Sequence, residues 1–106
     1  TYPYRAETPD RTLDLLSCGP LTFSAPDETA FPCLRIAKQC AAAGGTACAI
    51  MNGANEVAVA QFLRGEIGFN DISRRVEQAL SRVAVQYQPS LADILEADRL
   101  GREAAG

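Results

Sequence analysis

The chain has 106 residues, within the range of a single domain, with 10 Lys and Arg against 13 Asp and Glu and no His or Trp. Without histidine, Ser-His-Asp catalysis, Cys-His catalysis and a His-ligated zinc are excluded within this chain. A net charge of −3 without a basic stripe argues against nucleic-acid binding, which requires phosphates to be neutralised. No apolar run approaches the roughly 20 residues that span a bilayer, so no membrane partner is expected.

The apolar residues predict helices rather than a sheet. Alanine accounts for 18 of them, and alanine is the best helix former and a poor strand former. The sequence therefore predicts a mainly α fold, in which an extended N-terminal strap with short strand-like segments precedes a small four-helix bundle-like domain.

Residues 1–28 are predicted to form the strap, and residues 29–106 the helical domain. The first range contains four of the six prolines, which discourage helix. Two apolar runs, 13–16 and 21–23, are interpreted as extended segments that pair or pack against another polypeptide, because such short strands are unstable alone. Tyr2 and Tyr4 are expected to anchor on a neighbouring domain. The chain lacks an initiator Met and is interpreted as a piece of a longer protein.

The first two helices are predicted over about residues 30–43 and 46–64. Glycines 44 and 45 end the first helix, and Thr46 is the N-cap of the second. Gly53 indicates a close helix contact or a local break, because glycine costs about 1 kcal/mol relative to alanine in a helix. The predicted buried faces are Cys33, Ile36, Ala37 and Cys40 in the first helix and Ala47, Ile50, Met51, Ala54, Val57, Ala58 and Phe62 in the second.

The third helix is predicted to start with Asn70 as its N-cap and Asp71 in its first turn. The fourth starts at Ser90, with Asp93 completing a capping box, and its tail after Asp98 is expected to fray. The apolar residues of these two helices are Ile72, Val76, Ala79, Leu80 and Val83 in the third and Leu91, Ile94 and Leu95 in the fourth.

The four cysteines, at positions 18, 33, 40 and 48, fit no zinc or redox spacing. They are expected to be buried thiols in a reducing compartment, where cysteine behaves as a small hydrophobic residue.

Asn52, Asn55 and Glu56 form the candidate site, because their spacing places three polar side chains on one face of the second helix. One interpretation is an amide–carboxylate cluster facing a substrate or metal. The other, which is favoured, is a structural polar cluster that hydrogen-bonds the backbone of the strap. A single carboxylate without a partner is a poor metal site.

Two further motifs are interpreted as structural. The segment 44–46 (Gly-Gly-Thr) lacks the lysine and spacing of a phosphate loop, so helix capping is favoured. Arg74 and Arg75 are expected on a solvated helix face.

Several short strings, in one order and spacing, resemble the C-terminal region of 1-deoxy-D-xylulose 5-phosphate reductoisomerase. They include Tyr2-Pro3, Phe31-Pro32-Cys33-Leu34-Arg35, Gly44-Gly45-Thr46-Ala47, Asn52-Gly53-Ala54-Asn55-Glu56-Val57-Ala58-Val59, Ile67-Gly68-Phe69-Asn70-Asp71-Ile72 and Leu95-Glu96-Ala97-Asp98. The chain departs from the family's usual Asn-Ala-Ala-Asn-Glu at Gly53.

The resemblance implies that the whole enzyme converts its substrate to 2-C-methyl-D-erythritol 4-phosphate in the non-mevalonate isoprenoid pathway, with NADPH and a divalent cation (Mg, Mn or Co). It also implies a cytoplasmic bacterial homodimer. By this resemblance the catalytic, cofactor-binding and metal-binding residues lie upstream, so none is assigned here and no cofactor is expected in this fragment. Its partners are then the catalytic and NADPH-binding domains, which it braces. The alternative is a free-standing helical module for protein interaction or oligomerisation.

Overall fold

Four helices account for the regular structure of the chain. A computed structural model describes residues 2–106, and Thr1, the first residue of the predicted strap, lies outside this range. The helices are α1 (Cys33–Ala43), α2 (Ala47–Leu63), α3 (Phe69–Arg82) and α4 (Leu91–Ala105). Between residues 2 and 106 there is no strand. The predicted mainly α fold is therefore confirmed, although the strand-like segments of the strap do not form strands.

Helix α2 lies at the centre and contacts each of the other three helices. The core around it consists mostly of small side chains, which allows the helices to approach closely. Its members are Ile36, Cys40, Ala47, Ile50, Ala54, Val76, Ala79, Ala97 and Ala105. Among the described residues, no helix is long and apolar enough to cross a membrane.

Glycines mark the closest approach of α2 and α4. A Cβ atom added at Gly53 would lie 2.7 Å from the backbone oxygen of Asp98, and one added at Gly101 would lie 2.5 Å from the backbone oxygen of Ile50. Both distances are shorter than van der Waals contact. The close helix contact predicted at Gly53 is thus confirmed.

The start of α1 differs from the prediction. The helix begins at Cys33 rather than near residue 30, because an Asp27 turn precedes it. The Asp27 carboxylate accepts hydrogen bonds from the amides of Thr29 and Ala30, at 3.0 and 2.9 Å. Ile36 and Cys40 are buried as predicted, whereas Cys33 is exposed and borders open clefts between the helices.

Helix α3 begins two residues earlier than predicted. Gly68, not Asn70, occupies the N-cap position. Asp71 explains the shift, because its carboxylate reaches back to accept a hydrogen bond from the Gly68 amide at 2.9 Å. Its predicted place in the first turn is confirmed.

Helix α4 starts as predicted, but its packing differs. Ser90 and Asp93 form the capping box, and the Ser90 amide donates to the Asp93 carboxylate at 2.9 Å. The tail does not fray, because Ala97, Gly101 and Ala105 are the buried residues of this helix. Only small side chains fit at these positions, because α4 lies close to α2. The large apolar residues of α4 are instead exposed: Leu91 (71%), Ile94 (38%) and Leu95 (63%).

The strap has its large apolar side chains exposed. Residues 14–17 form a turn, in which the Ser17 amide donates to the Asp14 carbonyl at 3.2 Å, so the run 13–16 is not extended as predicted. A salt bridge of 2.6 Å between Glu28 and Lys38 ties the end of the strap to α1.

Candidate functional site

The structure brings two of the three predicted site residues together. The Asn52 amide nitrogen donates to Glu56 at 3.2 Å, which is the contact expected of residues four apart on a helix. Both side chains are exposed. Asn55 makes no side-chain hydrogen bond among the described residues and lies on another part of the α2 surface.

Glu56 connects α2 to α4 rather than to the strap. Its carboxylate accepts a hydrogen bond from Arg102 at 2.7 Å, and Arg102 also binds Asp98 at 2.8 Å. The Arg102 hydrogen bond, followed by that of Asn52, lowers the pKa of Glu56. The hydrogen bond to Asp98, followed by that to Glu56, raises the pKa of Arg102. This arrangement keeps Glu56 charged and engaged within the bundle, which suits an interhelical ion pair and not a proton-transfer group.

Asn55 borders two adjoining apolar clefts between α1, α2 and α3, here called the Asn55 groove. The larger cleft has a volume of about 230 Å³ and the smaller about 190 Å³. Cys33 and Asn55 line both. The other principal lining residues are Phe31, Val59, Phe69 and Ile72 in the larger cleft and Ile36, Ala37, Met51 and Val76 in the smaller.

Three phenylalanines stand at the Phe31 end of this groove. Phe69 contacts Phe31 and Phe62 edge to face, with ring centroids 6.3 and 5.8 Å apart. The three rings come from the segment just before α1, the end of α2 and the start of α3. All three remain partly exposed. Sequence reasoning did not identify this cluster, because the three residues are brought together only by the helix packing.

The Gly-Gly-Thr segment connects two parts of the fold. The Thr46 amide donates to the Gln86 carbonyl, and the Gln86 amide donates to the Thr46 hydroxyl, both at 3.0 Å. Gly45 has a φ of +57°, a conformation that glycine tolerates. Thr46 therefore occupies the N-cap position but bonds the α3–α4 loop instead of capping α2. These groups are already paired, so the segment does not present a free phosphate loop.

The two adjacent arginines have different roles. Arg74 pairs with Asp71 at 2.7 Å on the surface, as expected of a solvated residue. Arg75 is half-buried and donates to the Ala105 carbonyl at 3.2 Å. It thereby satisfies a free carbonyl at the C-terminus of α4, which the expectation of a solvated face missed.

All four cysteines are free, but only Cys40 is buried. The prediction of buried thiols is therefore wrong for Cys18, Cys33 and Cys48. Burial, followed by the neighbouring Cys48, raises the pKa of the Cys40 thiol, which keeps that thiol protonated. Helix packing decides which of these cysteines is covered, and their spacing along the sequence did not show it.

The chain matches one family of known proteins. The family profile described as the DXP reductoisomerase C-terminal domain matches residues 1–104. The 1-deoxy-D-xylulose 5-phosphate reductoisomerase of Pseudomonas paraeruginosa is 49% identical over 105 residues, which cover 99% of this chain and 26% of that protein. The enzyme of the same name from Ruminiclostridium cellulolyticum is 46% identical over 105 residues, which cover 99% of this chain and 28% of that protein.

A solved structure has a similar fold. The 1-deoxy-D-xylulose 5-phosphate reductoisomerase of Zymomonas mobilis, in complex with NADPH, superposes with a TM-score of 0.85 at 40% identity. The match covers 98% of this chain and 28% of that one. The chain thus spans about a quarter of the length of the relatives it matches.

Proposed function

Because this chain belongs to the DXP reductoisomerase C-terminal domain family, we propose that it is the supporting domain of a longer 1-deoxy-D-xylulose 5-phosphate reductoisomerase. In this proposal the whole enzyme uses NADPH and a divalent cation (Mg, Mn or Co) in the non-mevalonate isoprenoid pathway. The chemistry takes place on polypeptide that precedes this chain. The 106 residues hold that polypeptide in place and are not catalytic on their own.

The exposed apolar side chains of the strap carry this proposal. Leu16 and Phe23 are 97% and 91% exposed, and Leu13, Leu15 and Leu21 are also largely exposed. Isolated apolar residues on a surface are common, but a succession of them along one segment marks a surface that another polypeptide covers. The family match and the length of the relatives support the preceding catalytic and NADPH-binding domains as that partner.

In this proposal the described residues contribute no cofactor or metal site. The Gly-Gly-Thr segment, whose composition comes nearest to a phosphate loop, is hydrogen-bonded to Gln86. No group of three or more His, Cys, Asp or Glu side chains suited to a metal occurs between residues 2 and 106. We therefore derive no catalytic step from these residues and assign NADPH and the cation to the preceding polypeptide.

The proposal includes two properties of the whole enzyme. We expect it to be a homodimer in the bacterial cytoplasm, as the family resemblance implies. The matched relatives named above come from bacteria, which supports the bacterial origin but not the location.

A chimera tests the proposed function. In it, this chain replaces the matched 105 residues of the Pseudomonas paraeruginosa enzyme, and NADPH oxidation with 1-deoxy-D-xylulose 5-phosphate is measured. We expect activity within about tenfold of the parent, a barrier change of about 1.4 kcal/mol. The matched control lacks the same residues, and we expect it to lose about 100-fold or more, because unsupported catalytic groups are misplaced. A folded but inactive chimera, or a fully active deletion variant, would contradict the proposal.

The exposed apolar residues also fit the alternative of a free-standing interaction module. Light scattering on the 106-residue chain separates the two. A discrete, compact oligomer favours the module, because self-association then covers the apolar surfaces. A loosely associating or aggregating species favours the supporting domain.

A further inference from the structure

We propose that the Asn55 groove binds an extended, apolar segment of the polypeptide that precedes this chain in its relatives. This inference rests on the proposed function and names the surface through which the domain holds its partner. The strap connects the two parts covalently, and the Asn55 groove adds a second, non-covalent attachment on the helical bundle.

The size of the groove fits side chains of a partner. Its two clefts have volumes of about 230 and 190 Å³. Both exceed the roughly 150 Å³ of an engineered apolar cavity that binds benzene. Their walls are largely aliphatic and aromatic, so each cleft is suited to one apolar side chain.

The spacing of the clefts fits an extended backbone. Along α2, the smaller cleft lies between Met51 and Asn55 and the larger between Asn55 and Val59. Four residues of helix rise about 6 Å, so the α2 residues that line the two clefts are offset by about that distance. In a strand, side chains at positions i and i+2 point to the same face and lie about 6.6 Å apart.

Asn55 distinguishes an extended segment from a helix. Asn55 is half-buried between the clefts, and its side chain makes no hydrogen bond among the described residues, so its amide is available to a partner. An extended segment offers free backbone N–H and C=O groups, and an asparagine amide matches both as acceptor and donor. A helix has already paired those groups and would leave Asn55 unsatisfied.

The length of the relatives indicates which polypeptide occupies the groove. The match covers 26% of the Pseudomonas paraeruginosa enzyme, and the matched family is a C-terminal domain. About three quarters of such an enzyme therefore precedes the matched region. Phe31 lines the groove between the strap and α1, so the strap links the groove to the preceding polypeptide along the chain. The strap's own apolar pair, Leu21 and Phe23, is exposed and does not fill the groove.

Thiol reactivity tests the proposal, because Cys33 lines both clefts. Alkylation by iodoacetamide is followed by peptide mass spectrometry in the chimera described above and in the 106-residue chain alone. Cys48, exposed in the first turn of α2 and outside the groove, is the internal control. We expect the Cys33-to-Cys48 rate ratio to be about tenfold lower in the chimera than in the chain alone, because docking covers Cys33.

Asn55→Leu is the matched variant. Leucine keeps an apolar side chain of similar size but removes the amide, so the bundle is expected to remain folded while docking weakens. In the N55L chimera we expect most of the Cys33 protection to disappear. Undiminished protection would overturn the role assigned to the Asn55 amide.

The outcomes separate this inference from the proposed function. If the chimera is active but its Cys33-to-Cys48 ratio equals that of the chain alone, the groove is not a docking site. The proposed function is then unaffected. If Cys33 already reacts much more slowly than Cys48 in the isolated chain, and the chimera lowers the ratio no further, the strap or a second copy fills the groove. That result also overturns the inference. A folded, inactive chimera overturns the proposed function itself. The Cys33-to-Cys48 ratio of the proteins that retain Asn55 tests the docking site even if N55L does not fold.

Discussion

At the scale of single residues, Glu56 is the most informative of the candidate site residues. Its carboxylate lies 2.7 Å from Arg102, so it joins α2 to α4 across 46 positions of sequence. Exposed ion pairs contribute little to stability, since water and salt screen them. We therefore interpret Glu56 as fixing the register of two helices, with a small energetic effect.

The pH dependence of stability tests this interpretation. Because the hydrogen bond from Arg102 lowers the pKa of Glu56 in the folded chain, its stabilisation is present above the unfolded pKa of about 4.3. It is lost as the pH falls through the lower, folded pKa. We expect E56Q to lower Tm slightly at pH 7, and we expect this difference to shrink progressively as the pH falls below about 4.3.

Thermal unfolding followed by circular dichroism measures Tm at each pH. The control is E103Q, because the ion pair of Glu103 with Arg99 lies within α4 and does not connect helices. A Tm difference for E56Q that persists unchanged in acid would rule out the ion pair as its cause.

The sequence allowed part of this site to be predicted. The contact between Asn52 and Glu56 follows from their spacing of four residues. The Arg102 partner does not, because no local pattern relates positions 56 and 102. Asn55 was grouped with the other two for the same local reason, yet packing of α1 and α3 places it in a groove.

At the scale of elements, the helix caps formed by local contacts were predicted better than the buried face of α4. Asp71 and the Ser90–Asp93 pair act on amides within three residues, so local spacing revealed them, even though the N-cap of α3 was misplaced by two residues. The buried face of α4 depends instead on how closely α2 approaches. Because the two helices lie close together, the small residues Ala97, Gly101 and Ala105 face α2, and the leucines of α4 are exposed.

Gly101→Ala tests the close crossing of α2 and α4. Alanine is a better helix former than glycine by about 1 kcal/mol, so helix propensity alone predicts that G101A stabilises the chain. The added Cβ would meet three backbone atoms of Ile50 within 3.1 Å, and overpacking of this kind costs about 1–3 kcal/mol. We expect the free energy of unfolding in urea to fall.

The matched control is S81A, on the exposed face of α3, where a change within about 0.5 kcal/mol is expected. If G101A raised the free energy of unfolding as helix propensity alone requires, the close approach of these helices would be wrong.

At the scale of the whole molecule, the mainly α fold followed from alanine content and helical periodicity. The apolar content of the strap likewise indicated a partner outside the chain. The groove could not be predicted, because its walls come from residues 30–32 and from three helices that meet only in the folded chain. A domain with so much exposed apolar surface is understood best as one part of a larger enzyme.

Hydrogen–deuterium exchange at residues 13–23 tests most directly whether the preceding polypeptide covers the strap. In the 106-residue chain these amides make few hydrogen bonds, of which Ser17 to Asp14 is one, so rapid exchange is expected. In the chimera we predict exchange slower by about tenfold or more, with the amides of α2 as a protected reference in both proteins. Equal, rapid exchange of the strap in an active chimera would contradict the account.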